Sequence, residues 1–543
     1  MIKIFKHKIK AILSVGLVVA SATSCDTFLD INTDPNNPLT ARLSQVLPTA
    51  ETVIFEALGN GSGGMSDLTS QLVHQTVQRN ASNFYFIAGN EFSISNAWPN
   101  LYSGALKDLE EMIKISQERQ SWHYLGIAQT LKAYTFSQIV DLWGRAAYFE
   151  FGQGTENPFP AFDEGDAVYA DLFRLLNEAT TNLAQTSQES AGADDLIYGG
   201  NEAKWIKFAN SLKLKLYNQA RNTALFDADA VANIIATGPL MSGVDDGFKL
   251  LYGTSNNPEN RHPLYNQDYV QANANYIDPY FYLIMLGDAK FNDVLEGIQD
   301  PRIPYYFYNQ LAGDAPQNTP TTAKFDDFLS IWFASLNIDP NEGFDQAQSQ
   351  TLVGLYPAGG AYNDSTGVTA GVAAGQNAGA EGAGYTRLYG YYAHLYTMAE
   401  LALTKGVGGD HRALFEQGVR ASFAEVNQAA SGADVPAIEG TTIDDYVTDV
   451  LAKYDAADAE GKLELILTEK WIASFGYSVD SYTDYRRTGY PRMFDPATDN
   501  NPFTILNRAY PVSIPYDIAD LQINPNADAQ RNPATDRVFW DVN

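Results

Sequence analysis

Apolar residues recur at steps of three and four through most of this chain, the spacing of helices that bury one side. The stretch WHYLGIAQTLKAYTFSQIVDLWG lines up Trp122, Leu125, Ala128, Leu131, Thr135, Ile139 and Leu142. Residues 166–183 repeat the style with Leu172, Leu175, Leu176 and Ala179. Residues 202–221 set Trp205, Phe208, Ala209, Leu212 and Leu216 on one stripe and leave Lys204, Lys207, Lys213 and Lys215 off it. The same spacing predicts helices over 392–405, 411–428, 442–456 and 462–475, the last with Leu463, Ile466, Leu467, Trp471 and Ser474 inward.

Helices of this length joined by short linkers suggest stacked hairpins of the tetratricopeptide kind. Trp122, Leu125 and Gly126 match the opening of that repeat's pattern, but Gln129, Gln138 and Leu142 stand where Tyr, Ala and Phe are usual. The repeat is therefore degenerate, and a non-repeating bundle is the simpler alternative.

The pattern breaks in the middle. Residues 251–310 hold 9 of the 32 tyrosines, interleaved with Asn, Pro and Gly. Residues 325–386 contain no Lys or Arg, and 358–384 are mostly Ala and Gly. Long irregular stretches inside compact proteins are functional or unstructured. The end of the chain, after Arg486, is rich in Pro and Asn and should wrap the helices rather than form a domain.

The start reads differently again. Lys3, Lys6, Lys8 and Lys10 precede an apolar run over 9–20, shorter than the roughly 20 residues a membrane span needs. Small residues follow, from Ser21 to Ser24. This is a secretory signal with a cleavage site. Cys25, directly after it, makes it read as a bacterial lipoprotein signal with the thiol as the lipid attachment point. An ordinary signal with a chance cysteine is the alternative. Cys25 is the only cysteine, so an intramolecular disulfide and multi-thiolate metal sites are excluded. Residues 26–40 are polar, contain Pro35 and Pro38, and read as a flexible tether. Asp30, Asn32 and Asp34 open like a calcium-binding loop, but Pro35 and Ala41 stand where such a loop needs Gly and Glu. No later apolar run reaches spanning length, so the remainder is expected to be soluble and tethered.

Residues 1–24 carry four lysines and no acid, so the chain without them has 31 basic against 65 acidic residues, net −34. Such a chain repels nucleic acid and anionic headgroups. There is no G-x-S-x-G, H-E-x-x-H or Walker loop; Ser62 lies in GNGSGG, where the glycine spacing is wrong. The five histidines after residue 24 (His74, His123, His262, His394, His411) include no two spaced for a metal. No cofactor or metal is implied. A glycosidase needs only two carboxylates, so that class stays open. What remains is the pattern of a binder. Tyr265, Tyr269, Tyr276, Trp332, Phe333, Tyr356 and Tyr362 are candidate ring contacts, with Asn266 and Gln267 as hydrogen-bonding partners. The competing reading is that these rings pack under long loops.

Several stretches are familiar together: FLDINTDPNNP near the tether, FSQIVDLWGRAAYFE at 136–150, AKWIKFANSLKLKLYNQAR at 203–221, DPRIPYYF at 300–307 and ILTEKWIASFGYSVDSYTDYRRTGYP at 466–491. With these the chain resembles the SusD/RagB family of nutrient-binding outer-membrane lipoproteins over nearly its whole length after the signal. The resemblance implies a mainly α fold of stacked degenerate tetratricopeptide-like hairpins with a loop-rich ligand-binding portion. It implies a cell-surface lipoprotein without catalysis, acting as the lid of a SusC-type TonB-dependent transporter. Family members bind through aromatic residues in variable loops, whose positions do not transfer by motif. The landmark stretches read as scaffold: Asp141, Trp143 and Gly144 closing a helix, and Asp484, Arg486 and Arg487 tying the last helix to the C-terminal wrap.

The expected division is a signal at 1–24, a tether at 25–40, a helical scaffold at 41–250, a loop-rich portion at 251–390, and C-terminal helices with a wrapping segment at 391–543. The cation-free segment favours an oligosaccharide ligand. An oligopeptide-binding lid and a surface glycoside hydrolase are the alternatives.

Overall fold

Gly126 shows how closely the first long hairpin is packed. A Cβ there would lie 2.5 Å from Leu183 Cγ and 2.8 Å from the Ala179 carbonyl oxygen. The glycine of the W-x-x-L-G stretch is thus the contact point between α4 (Trp122–Trp143) and α5 (Gly165–Leu183). Gly144 ends α4 at a φ of +85°, a conformation that suits glycine. The computed structural model describes residues 42–61, 63–77, 85, 96–271, 275–310, 322–333, 350–364, 379–493 and 509–542. Cys25, the signal and the tether lie outside the described residues.

Ahead of this hairpin lie α1 (Leu43–Leu58), α2 (Met65–Leu72) and α3 (Lys107–Arg119), the last continuing a short helical turn at Ala97–Pro99 and a π-helical turn at Asn100–Leu106. After it come α6 (Glu202–Gln219), α7 (Ala228–Thr237) and α8 (Pro279–Met285). The C-terminal part contributes α9 (Tyr391–Lys405), α10 (His411–Gly432), α11 (Gly440–Ala456), α12 (Ala459–Ala473) and α13 (Val479–Thr488). Consecutive helices pack on one another, α4 on α5, α5 on α6, and α9 on α10. The fold is mainly α, as the periodicity predicts. One apolar core holds Leu43 and Trp540 alike, so the scaffold, the loop-rich portion and the wrap share an interior.

Strands are short and come in antiparallel pairs. Thr76–Val77 (β1) pairs with Tyr276–Ile277 (β3). Phe248–Leu251 (β2) pairs with Tyr385–Tyr389 (β8). Phe307–Tyr308 (β4) pairs with Leu352–Val353 (β7), and Thr322–Phe325 (β5) with Phe328–Ile331 (β6). The β2–β8 ladder holds the two ends of the loop-rich portion together.

Charge holds the later helices. Glu400 of α9 is fully buried and accepts hydrogen bonds from Arg487 of α13 and from Asn218 of α6 at 2.6 Å, and it pairs with Arg221 at 2.8 Å. Asp484 accepts from Arg487 at 2.6 Å and pairs with Lys470 of α12 at 2.7 Å. Burial lifts the Asp484 carboxyl to about 6. Lys215 pairs with Asp480 at 3.0 Å, and Lys213 donates to Asn177 at 2.9 Å. Both lysines are buried although they lie off the apolar stripe. The reason is that α6 is covered by α4, α5, α7 and α9 rather than by one neighbour. Burial lowers Lys213 to about 8.

Arg302 of the DPRIPYYF stretch forms a second buried centre. It donates to both carboxylate oxygens of Asp300, to Ser422 at 2.7 Å and to Glu469 at 3.0 Å. Its guanidinium carbon lies 4.9 Å from the Phe423 ring centroid.

Of the three residues expected to tie α13 to the wrap, Arg486 does so. Arg486 donates to the carbonyl oxygens of Val512 at 2.9 Å and Asp141 at 2.6 Å. Trp143 donates to Pro515 at 3.0 Å, and Trp540 donates to the Asp141 carboxylate at 2.8 Å. Asp484 and Arg487 do otherwise. They point to α12 and α9 because they leave α13 on a different side from Arg486.

Candidate functional site

The candidate residues fall into two ring groups and a buried remainder. In the first group the π-helical turn Asn266–Val270 brings Tyr269 one turn on from Tyr265. The two rings stack, with centroids 4.8 Å apart and planes 11° from parallel. Tyr269 is fixed by its hydroxyl, which donates to the Val353 carbonyl at 2.8 Å and accepts from the Ala361 amide at 3.0 Å. Tyr308 lies 6.4 Å from the Tyr269 centroid, and Arg261 sits 5.7 Å over Tyr265. Tyr362 packs on Tyr305 at 4.9 Å. Tyr265, Tyr269 and Tyr362 are all partly exposed.

The amides in this group face inward. Gln267 donates to Asp67 at 3.3 Å. Asn266 Oδ1 is buried with no hydrogen-bond partner among the described residues.

The second group surrounds Trp332 and Phe333, just after β6. Trp332, 8% exposed, meets Phe325 edge-on at 5.8 Å and Phe291 at 6.1 Å. Lys290 lies 4.4 Å over the Trp332 ring, a cation–π contact. Phe333 packs against His74 at 4.4 Å and Tyr85 at 5.4 Å, and Tyr85 against Tyr510 at 5.1 Å. His74 connects Tyr85, at 2.8 Å, to Asp278, at 2.9 Å. Asp278 also caps α8 by accepting from the Tyr280 amide. The group is therefore drawn from segments near residues 74, 85, 280, 332 and 510.

Tyr276 and Tyr356 are core residues, both at 0% exposure. Tyr276 is held in the β1–β3 ladder. Tyr356 stacks on Tyr306 at 5.0 Å and carries the Arg387 guanidinium 4.0 Å over its ring. Sequence reasoning singled out neither Lys290 nor Arg261, and both place cations beside the rings although residues 325–386 hold none. His74, Tyr85 and Tyr510 were also missed; a tyrosine in a polar segment gives no local sign of a distant ring partner.

Under the first ring group, Asp268 and Asp67 line a small cavity. Asp268 accepts from the Val353 amide at 2.6 Å, while its other oxygen is buried without a hydrogen-bond partner among the described residues. Burial, aided by the nearby Asp67, lifts Asp268 to about 8. Burial lifts Asp67 to about 7. An unfolded chain releases the Asp268 proton near pH 4, so the folded state holds a proton that the unfolded state has lost. Stability is expected to be fully present below about pH 4 for this group and to fall as pH rises toward about 8. Asp268→Asn should flatten that fall by more than about 1.4 kcal/mol, the value of a tenfold change in proton affinity. Urea midpoints at several pH values measure it; parallel wild-type and variant curves would refute the assignment.

A large cleft lies elsewhere among the described residues. It has a volume of about 1080 Å³ and runs between α3, the loop 147–160 and the segment 517–524.

Comparisons with known proteins follow the same architecture. The family model described as "Starch-binding associating with outer membrane" matches residues 35–324. The model described as "Susd and RagB outer membrane lipoprotein" matches residues 393–532. No curated protein matches the sequence. Among solved structures, one named as a chitin-binding protein is similar at 18% identity and a TM-score of 0.67, covering 92% of this chain and 100% of that one. A chitin-binding SusD homologue from Flavobacterium johnsoniae is similar at 19% identity and a TM-score of 0.66, covering 92% and 99%. A SusD homologue from Bacteroides fragilis is similar at 18% identity and a TM-score of 0.64, covering 92% and 99%.

Proposed function

We propose, from the premise that this chain belongs to the SusD/RagB family of outer-membrane lipoproteins, that it captures oligosaccharides at the cell surface without cleaving them. It would serve as the lid of a SusC-type TonB-dependent transporter, held by lipid at Cys25.

The observation that carries the reading is the ring-bearing, loop-rich face mounted on a rigid helical scaffold. Tyr265 and Tyr362 keep partly exposed ring surface suited to sugar rings, with Tyr269 stacked behind Tyr265, and Arg261 supplies donors for hydroxyl groups beside them. Two relatives of the same fold are named as chitin-binding, which makes β-linked N-acetylated sugars the first ligands to try.

The test is capture. Full-length protein in detergent should be retained on an insoluble polysaccharide, chitin first, and release no reducing ends. Tyr265→Ala with Tyr269→Ala should weaken retention about tenfold, since each ring contact is worth about 0.5–1.5 kcal/mol. Shortened glycan products would support the hydrolase reading instead. Unchanged retention would remove this ring pair from the site. The oligopeptide reading gains from one observation: Arg261, paired with Glu259 at 2.6 Å, offers both signs of charge for peptide termini beside Tyr265. Competition by short peptides but not by sugars would favour it.

A further inference from the structure

We infer that the large cleft beside α3 is a docking site for an extended polypeptide segment that carries a basic residue next to an aromatic or aliphatic one. The inference is independent of the sugar reading, because it concerns a different part of the molecule.

The first observation is an apolar rim. Phe149 is 52% exposed, Phe159 38% and Ile523 68%, unusual values for large apolar side chains. Phe159 and Ile523 line the cleft, and Phe149 belongs to the same loop as Phe159. Exposed apolar side chains gathered at one cleft mark an interaction site. Below them the rings of Trp98 and Tyr102, 4.7 Å apart, form the floor.

The second observation is charge. Five carboxylates line the cleft, among them Asp108, Glu111 and Asp520, against the two lysines Lys107 and Lys114. Asp108 and Asp520 are both partly exposed, and a cationic side chain placed beside them would favour the charged forms that burial opposes. A second copy of this chain is a poor occupant, since the formal net charge is −30 and like charges repel.

The third observation is preset walls. Asn524 donates to the Pro160 carbonyl at 2.9 Å, and Asn526 donates to the Phe159 carbonyl at 2.7 Å. Asn157 donates to Glu150 at 2.9 Å within the loop. A wall fixed before binding lowers the ordering cost of association.

A second groove borders the cleft. Gln117 lines it and equally lines a groove of about 810 Å³ against Trp122 and Leu125. An extended chain that passes Gln117 would reach both, which a compact ligand would not. Ile113, Ile523 and three prolines add aliphatic surface to the lining, which suits apolar side chains.

A random heptapeptide display library panned on the full-length protein in detergent tests this. Counter-selection uses Phe159→Ala combined with Asp520→Asn, both partly or well exposed positions whose fold is checked by circular dichroism and urea midpoint. Enriched peptides should carry Lys or Arg beside an apolar residue. A synthetic peptide of the enriched sequence should bind the double variant about tenfold more weakly. Its affinity should also fall about fivefold from low to high salt. Absence of enrichment, acidic or uncharged winners, or equal binding to the double variant would each overturn the inference. Displacement of the peptide by neutral oligosaccharide would reassign the cleft to sugar, and chitin retention unaffected by the peptide keeps the two sites separate.

Discussion

Replacing Arg302 with methionine is expected to cost about 3–5 kcal/mol of stability, the usual penalty for stranding buried charge. Arg302 is fully buried, and it is the cation that pairs with both Asp300, at 2.6 Å, and Glu469, at 3.0 Å. Without it two carboxylates would stay in a low-dielectric interior or take up protons. Tyr446 donates to Glu469 at 2.5 Å and would be left holding one of them. The triple variant Arg302→Met, Asp300→Asn, Glu469→Gln should regain much of the loss, because neutral side chains avoid the desolvation penalty. Urea midpoints of the wild type, single and triple variants measure both effects. A single variant within about 1 kcal/mol of wild type would mean that the centre is solvated in a way its burial denies.

The second large effect is on place rather than stability. Cys25→Ser should move nearly all of the protein from the membrane fraction to the soluble fraction of intact cells. Acyl chains contribute about 0.8 kcal/mol per buried CH₂, and among the described residues no helix is long and apolar enough to cross a membrane. Fractionation with an antibody against the folded body gives the answer. Protein that still sediments with the outer membrane would show that lipid at Cys25 is not the main attachment.

Apolar stripes made the long helices readable. The starts and ends of α4, α5 and α6 fall within a few residues of the periodic stretches because their buried sides are aliphatic and aromatic. α13 escaped for the opposite reason: VDSYTDYRRT is polar, and its burial rests on pairs with Lys215, Glu400 and Lys470 that lie far off in sequence. The same limit applies to the rings. Tyr265 and Tyr356 look alike in a tyrosine-rich stretch, yet one is half-exposed and the other is sealed under Arg387. Which tyrosines face solvent is decided by ladders such as β2–β8 and β4–β7, whose partners no local pattern reveals. The cleft beside α3 was invisible because three separate stretches build it.

Asp141 sits near the start of the fold, yet one of its hydrogen-bond donors, Trp540, is 399 positions later. The seal over the first hairpin therefore cannot form until Trp540 is free to reach it. By the same logic, a chain cut short of Trp540 would unseal the end of α4 rather than merely lose a tail.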